Sequence, residues 1–217
     1  MENEDKPGRR AYRAPQREAA ASRTREAIVR ASRHLFEERG WSATTMRSIA
    51  ERAGVSQKTV EALFGTKAAL LHAAVEYAIR GDVDPLPMPQ RETVARMERA
   101  ASAVEMLDLH AGHLRRVNER SARIAWVVEQ AAADDPLVEA LWAEMNGNRA
   151  FAVRWATDLL LSRPGRRRGL RRQDVETAFW VALDWGTYRT LTDHARLSPA
   201  GYEAWLRRYY RSMFLPH

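Results

Sequence analysis

The stretch "GVSQKTVEALFGTK", Gly54 to Lys67, carries residue types that read nucleic acid: an amide at Gln57, an ammonium at Lys58, hydroxyls at Ser56 and Thr59, and a second cation at Lys67. In the first turn of a helix, Gln can pair bidentately with adenine and Lys can donate to guanine. Gln57 and Lys58 are therefore the base-reading candidates. Phosphates are gripped by hydroxyls, by N–H groups at helix starts and by cations, a role that fits Thr45, Arg47, Thr59 and Lys67. Glu61 is the discordant residue, because a carboxylate is repelled by a polyanion. Lys58, three residues earlier on the same face, is expected to offset it through an ion pair worth roughly a few tenths of a kcal/mol. Glu61 is then able to accept from a cytosine N4 amine. The plainer alternative is a rim residue pointing along the groove into solvent.

These side chains need a frame. Ala27, Ile28, Ala31, Leu35 and Phe36 fall at the spacing of a one-sided helix over Thr24 to Arg39, stopped by Gly40. Thr44 and Thr45 offer caps to "MRSIAERAG", whose apolar stripe ends at Gly54. Ser56 caps a short helix from Gln57 to Phe64. Two short helices joined by a glycine-containing turn form a helix-turn-helix. After Gly65, "KAALLHAAVEYAI" gives a fourth helix, and "GDVDPLPMP", with three prolines in nine residues, ends it. Beyond lie helical periods near 90 to 100, 102 to 116, 118 to 133, 135 to 161, 172 to 194 and 198 to 214, and no strand is required. The organisation expected is a flexible basic arm over 1–21, a helix-turn-helix domain over 22–81 and a larger helical domain over 82–217.

Composition excludes several other chemistries. The chain has 217 residues and no cysteine, so a disulfide framework, a thiolate metal site and a thiol nucleophile are all ruled out. No apolar run approaches the roughly 20 residues of a membrane-spanning helix, and the charged N-terminus lacks a signal-peptide core; no membrane partner and a cytoplasmic location are expected. The net charge of +7 is densest at the front, where Arg9, Arg10, Arg13 and Arg17 follow one another with no acid between them. Arg13 and Arg17 are candidates for DNA contact from an arm, against the alternative of a solvated tail. His110 and His113 have the spacing of half a metal site without further ligands. Asp193, His194 and Ser198 are neighbours in sequence only, which gives no nucleophile geometry. No catalytic residue, metal or cofactor is expected.

The span "GWSATTMRSIAERAGVSQKTVEALFGTKAALL", Gly40 to Leu71, resembles the N-terminal domain of the tetracycline-repressor-like (TetR) family of bacterial transcription regulators. The likeness rests on the glycine and aromatic before Ala-Thr-Thr, on "IAERAGVS", on Thr59 and Phe64, and on "TKAALL". It implies an all-α fold: a three-helix DNA-binding head joined by a linking helix to a body that binds a ligand and dimerises. Position 61 often carries a phosphate-donating tyrosine in that family and position 58 a glycine, so Glu61 and Lys58 are departures.

In the body, core packing is the default for Trp126, Trp142, Trp155, Trp180, Trp185, Phe151, Phe179 and Tyr188. The resemblance tilts some of them toward a ligand pocket. The pocket residues expected are Met106, His110, His113, Asn118, Trp126, Phe151, Trp155 and Trp180. The last two helices are apolar on more than one side, which suggests a two-fold interface through Phe179, Ala182, Gly186, Tyr202, Leu206 and Tyr209. "SRPGRRRGLRR", Ser162 to Arg172, is a basic loop with six arginines and no assigned role. The reading that follows is a homodimeric regulator, a repressor of a palindromic double-stranded operator released by a small hydrophobic or aromatic effector. The rival is a helical carrier or enzyme with an incidental N-terminal bundle.

Overall fold

The computed structural model describes residues 8–82 and 88–216, with side chains from residue 19 onward apart from Pro89. All regular structure among them is helical: α1 (Gly8–Ala43), α2 (Met46–Ala53), α3 (Gln57–Phe64), α4 (Lys67–Arg80), α5 (Glu92–Glu98), α6 (Ala103–Ala131), α7 (Pro136–Ser162), α8 (Arg172–Ala182), α9 (Trp185–Arg189) and α10 (Pro199–Phe214). A single 3-10 turn precedes α5, and a π-helical turn, Thr190–His194, follows α9. The chain divides into two compact units, residues 1–74 and 75–217, and α4 runs unbroken through the division.

In the first unit α1 packs on α2 and α2 on α3. Ile28, Leu35 and Phe36 of α1, Ile49 of α2 and Val60 of α3 are buried, as are Leu70 and Leu71 of α4. Of the expected α1 stripe, Ile28, Ala31, Leu35 and Phe36 face inward, whereas Ala27 is exposed. α1 starts at Gly8 rather than Thr24, so the backbone of 8–21, expected as a flexible arm, continues the helix. The physical reason is local: Ala19, Ala20 and Ala21 favour helix, and neither Gly nor Pro interrupts the chain between Pro15 and Gly40. At Gly40 the backbone leaves helical space (φ 76°, ψ −179°), and Thr44 beneath it is buried, its Oγ1 2.8 Å from the Gly40 carbonyl.

In the second unit α6 is the central element, packed against α5, α7, α9 and α10. It is one helix of 29 residues, where the sequence pattern suggested a break at Val117. The polar residues around that point have partners. Asn118 is buried and its Nδ2 donates to the Tyr202 hydroxyl at 2.9 Å, while Arg115 pairs with Glu119 and Glu203. The stretch 172–194, expected as one helix, is broken instead at Leu183. Asp184 turns its carboxylate back onto the Thr187 N–H at 2.6 Å and starts α9 as an N-cap, a competing local bond characteristic of Asp. Phe179, Tyr202, Tyr210 and Phe214 form the aromatic centre of the core with Met106, Leu107 and Leu206.

Candidate nucleic-acid interface

The helix-turn-helix is fixed by its caps. Thr45 Oγ1 accepts from the Ser48 N–H at 3.1 Å while Ser48 Oγ accepts from the Thr45 N–H at 3.1 Å, a reciprocal box that starts α2. Gly54 ends α2 in the left-handed region (φ 68°), which a side chain would strain, and the next residue, Val55, donates to the Ala50 carbonyl at 3.0 Å. Ser56 accepts from the Thr59 N–H at 3.1 Å, and its hydroxyl lies 2.8 Å from that of Thr59. At the other end of α3, Arg25 of α1 donates to the Leu63 carbonyl at 3.2 Å and lies 4.4 Å above the Phe64 ring. Sequence reading missed Arg25.

The candidates are not equally available. Gln57, Lys58 and Glu61 are exposed on α3, and Lys58 makes no ion pair among the described residues. The expected Lys58–Glu61 pair is not formed. Gln57 Nε2 donates to Glu61 Oε1 at 2.7 Å, because residues four apart on a helix lie one above the other. Arg47 is exposed and pairs with Glu51 at 2.9 Å, an interaction in full solvent that a phosphate can displace. Thr45 and Thr59 serve as a cap and a cap partner. Lys67, expected at phosphate, sits 3.9 Å above the Trp41 ring and donates to the Trp41 carbonyl at 3.0 Å. The side chains of Arg13 and Arg17 lie outside the described residues.

Residues 28–74 match the family model described as bacterial regulatory proteins, tetR family. The chain carries a TetR-family N-terminal domain over these residues. It is a DNA-binding transcriptional regulator of the helix-turn-helix type. A Bacillus subtilis relative, the uncharacterized HTH-type transcriptional regulator YdeS, is 29% identical over 170 residues, covering 77% of this chain and 78% of the relative. Two solved structures share the fold. NalD of Pseudomonas aeruginosa, the secondary repressor of the MexAB-OprM multidrug efflux pump, aligns with a TM-score of 0.68 at 21% identity, over 90% of this chain and 98% of its own. A transcriptional regulator from Saccharomonospora viridis in complex with choline aligns with a TM-score of 0.65 at 16% identity, over 90% of this chain and 100% of its own.

In the body of the chain, the pocket residues expected from sequence fall in different surroundings. Met106, His110 and Asn118 are core residues of α6. His110 Nδ1 lies 2.8 Å from the Tyr210 hydroxyl, and burial, with His113 nearby, lowers its pKa to about 3. Burial and the cations Arg116 and Arg120 lower that of His113 to about 4, so neither imidazole is charged near neutrality. Phe151 is 57% exposed and Trp180 is also at the surface, while Trp155 points its Nε1 to Glu98 at 3.4 Å. Trp126 lines a cleft with Trp142 and Trp185. The expected interface set also needs correction. Phe179, Ala182, Tyr202 and Leu206 are buried in the chain's own core, where α10 packs on α6 and α8 packs on α7 and α10. Tyr209 is half-buried, donating its hydroxyl to the Ala178 carbonyl, and Gly186 is exposed beside the cleft.

Proposed function

We propose that the chain is an effector-responsive repressor. It acts as a homodimer in which each α3 enters one half of a palindromic operator, and it lets go when a small molecule binds the body. The observation that carries this reading is α4. It is one helix from Lys67 to Arg80, capped at its start by Thr66 and gripped at its end by Arg120 of α6, which donates to the carbonyls of Ala78 and Ile79 at 3.0 and 2.9 Å. Guanidinium donors suit the negative end of a helix. A ligand that moves α6 therefore acts on the far end of the helix whose start belongs to the head. For release to follow, the ligand must prefer the arrangement that binds DNA poorly. Relatives of this fold include a named repressor and a regulator holding a small organic molecule.

The partner surface is best sought on the outer faces of α8 and α10, where Thr177, Trp180 and Val181 are exposed on one helix and Ala204, Arg208 and Ser212 on the other. Arg13 and Arg17 add phosphate contacts ahead of the head, and residence in the cytoplasm follows from a DNA target. The decisive experiment is a gel shift with the DNA flanking the gene at two salt concentrations, beside sedimentation of the free protein. Sequence-selective binding by a dimer is expected; a monomer, or binding indifferent to sequence, would contradict the reading. The carrier or enzyme alternative gains no support from Asp193, His194 and Ser198: Asp193 faces Arg189 at 3.6 Å and Ser198 caps α10 through the Gly201 N–H.

A further inference from the structure

A cleft of about 190 Å³ opens between α6, α7 and the segment Asp184–Arg189. Its walls carry the indoles of Trp126, Trp142 and Trp185, the last two 6.2 Å apart, and Trp185 is fixed by donating its Nε1–H to Ser121 at 3.0 Å. Ala122 and Ala125, both buried, leave room that larger residues would fill. Two guanidinium groups stand against these rings. Arg189 lies 4.5 Å from the Trp126 centroid, and Arg149 lies 4.9 Å from that of Trp180 and 5.7 Å from that of Trp185.

Their acceptors are incomplete. Arg149 Nη1 donates to Asp184 Oδ1 at 3.0 Å, but its Nε–H is buried and finds no acceptor among the described residues. Asp184 has little left to give, since its other oxygen takes both the N–H and the hydroxyl of Thr187 at 2.6 and 3.1 Å. Arg189 has Asp193 at 3.6 Å as its acid. A buried donor without an acceptor carries a desolvation cost that an incoming oxygen relieves. The same wall is the least regular part of the fold. It begins at the Leu183 break, continues into the π-helical turn Thr190–His194, and ends near Arg196 in the left-handed region at φ 60°. Such turns recur at functional sites.

We propose that this cleft binds a small planar aromatic carboxylate, its ring against the indoles and its oxygens on Arg149 and Arg189. Flat rings stack on indoles, and a carboxylate matches the guanidinium fork. The volume lies below the range of about 300 to 1,000 Å³ for common ligand pockets, which restricts the ligand to one or two rings. Glu129, an exposed residue of the lining, disfavours a second negative group. Only the regulatory consequence rests on the effector-responsive reading; the binding itself does not.

The test is calorimetric titration of the full-length protein with sodium benzoate and sodium 2-naphthoate, and with benzamide as the uncharged isostere. Saturable binding of one carboxylate per chain is expected, at least about tenfold tighter than benzamide. Arg149→Gln removes the selectivity for the charged form. Because Arg149 also holds Asp184, a second variant, Ala125→Phe, fills the cleft without touching a charge and is expected to abolish binding with unchanged circular dichroism. No saturation by either carboxylate up to about 10 mM, equal affinity for benzamide, or undiminished binding to a folded Ala125→Phe protein would each overturn the proposal. A gel shift with benzoate present separates the two readings. Binding that leaves the operator complex untouched keeps the site and removes its regulatory role, and release of the operator supports both.

Discussion

Gln57 donates its side-chain amide to Glu61 across one turn of α3, at 2.7 Å, and so fixes which way its own carbonyl points. An ionised carboxylate only accepts, so the amide nitrogen must face it and Gln57 Oε1 is turned outward. If α3 enters the groove as proposed, the pair offers acceptors suited to the N4 amine of cytosine or the N6 amine of adenine.

Glu61→Gln is therefore expected to change the preferred base pair at one position, with discrimination of about 1 to 3 kcal/mol, and to raise overall affinity modestly by removing repulsion from phosphate. Glu61→Tyr is expected to strengthen operator and non-specific DNA alike, since a phosphate contact carries no base information. Binding-site selection on the three proteins decides the matter: identical motifs would leave Glu61 as a rim residue.

Lys67 is held by Trp41 from both sides of the chemistry, ring and carbonyl. Lys67→Ala is expected to lower stability by about 1 to 2 kcal/mol, measured by thermal denaturation, with Lys67→Arg recovering part of it. If Lys67→Ala leaves the melting temperature alone and reduces only the salt dependence of DNA binding, the lysine belongs to phosphate.

His110 makes stability fall with acid. Its pKa is about 3 when folded against an ordinary 6.5, so the unfolded chain takes up the proton first. The contribution is complete above about pH 6.5 and declines as pH falls toward 3, amounting to about 2 kcal/mol at pH 5. His110→Gln, which keeps a partner for Tyr210, is expected to flatten the change in melting temperature between pH 7 and pH 5. An unaltered slope would place the acid sensitivity elsewhere.

Arg120→Gln is expected to preserve the dimer and operator binding while weakening the response to an effector, because the grip on the last carbonyls of α4 is lost. Comparing effector affinity with operator release in the same protein checks it; parallel loss of both would mean that Arg120 merely stabilises the fold.

Val181→Glu places a charge on the exposed face of α8 and is expected to yield a folded monomer in sedimentation, whereas Leu206→Glu, at a buried core position, is expected to unfold the chain. A folded Leu206→Glu protein, or a dimeric Val181→Glu protein, would reverse the assignment of faces.

Much of the head was legible because its signals are local. Gly54, Ser56 and Thr45 act on neighbours within four residues, and Val60 and Phe64 show their stripe directly. Arg25 closing α3 from 38 residues away leaves no such trace. In the body the helices were legible but their faces were not. Asn118 read as a pocket residue because its partner, Tyr202, lies 84 residues on. Tyr202 and Leu206 read as partner-facing because α10 carries aromatic residues around much of its girth, and sequence gives no way to tell the side on α6 from the side in solvent. The cleft was half visible: Trp142 and Trp185 were noted as aromatics, but Arg149 and Arg189 acquire meaning only once α7 and α9 are brought to α6.

Because Arg25 anchors the last turn of α3 while Ser56 anchors its first, the recognition helix is held at both ends within one small unit. Less orientational freedom then remains to be lost when DNA arrives, so the cost of ordering that accompanies many protein–DNA encounters falls on folding instead. A variant lacking the Arg25 guanidinium would bind the same bases with a larger entropic penalty, and the loss would grow with temperature even though no atom facing DNA had changed.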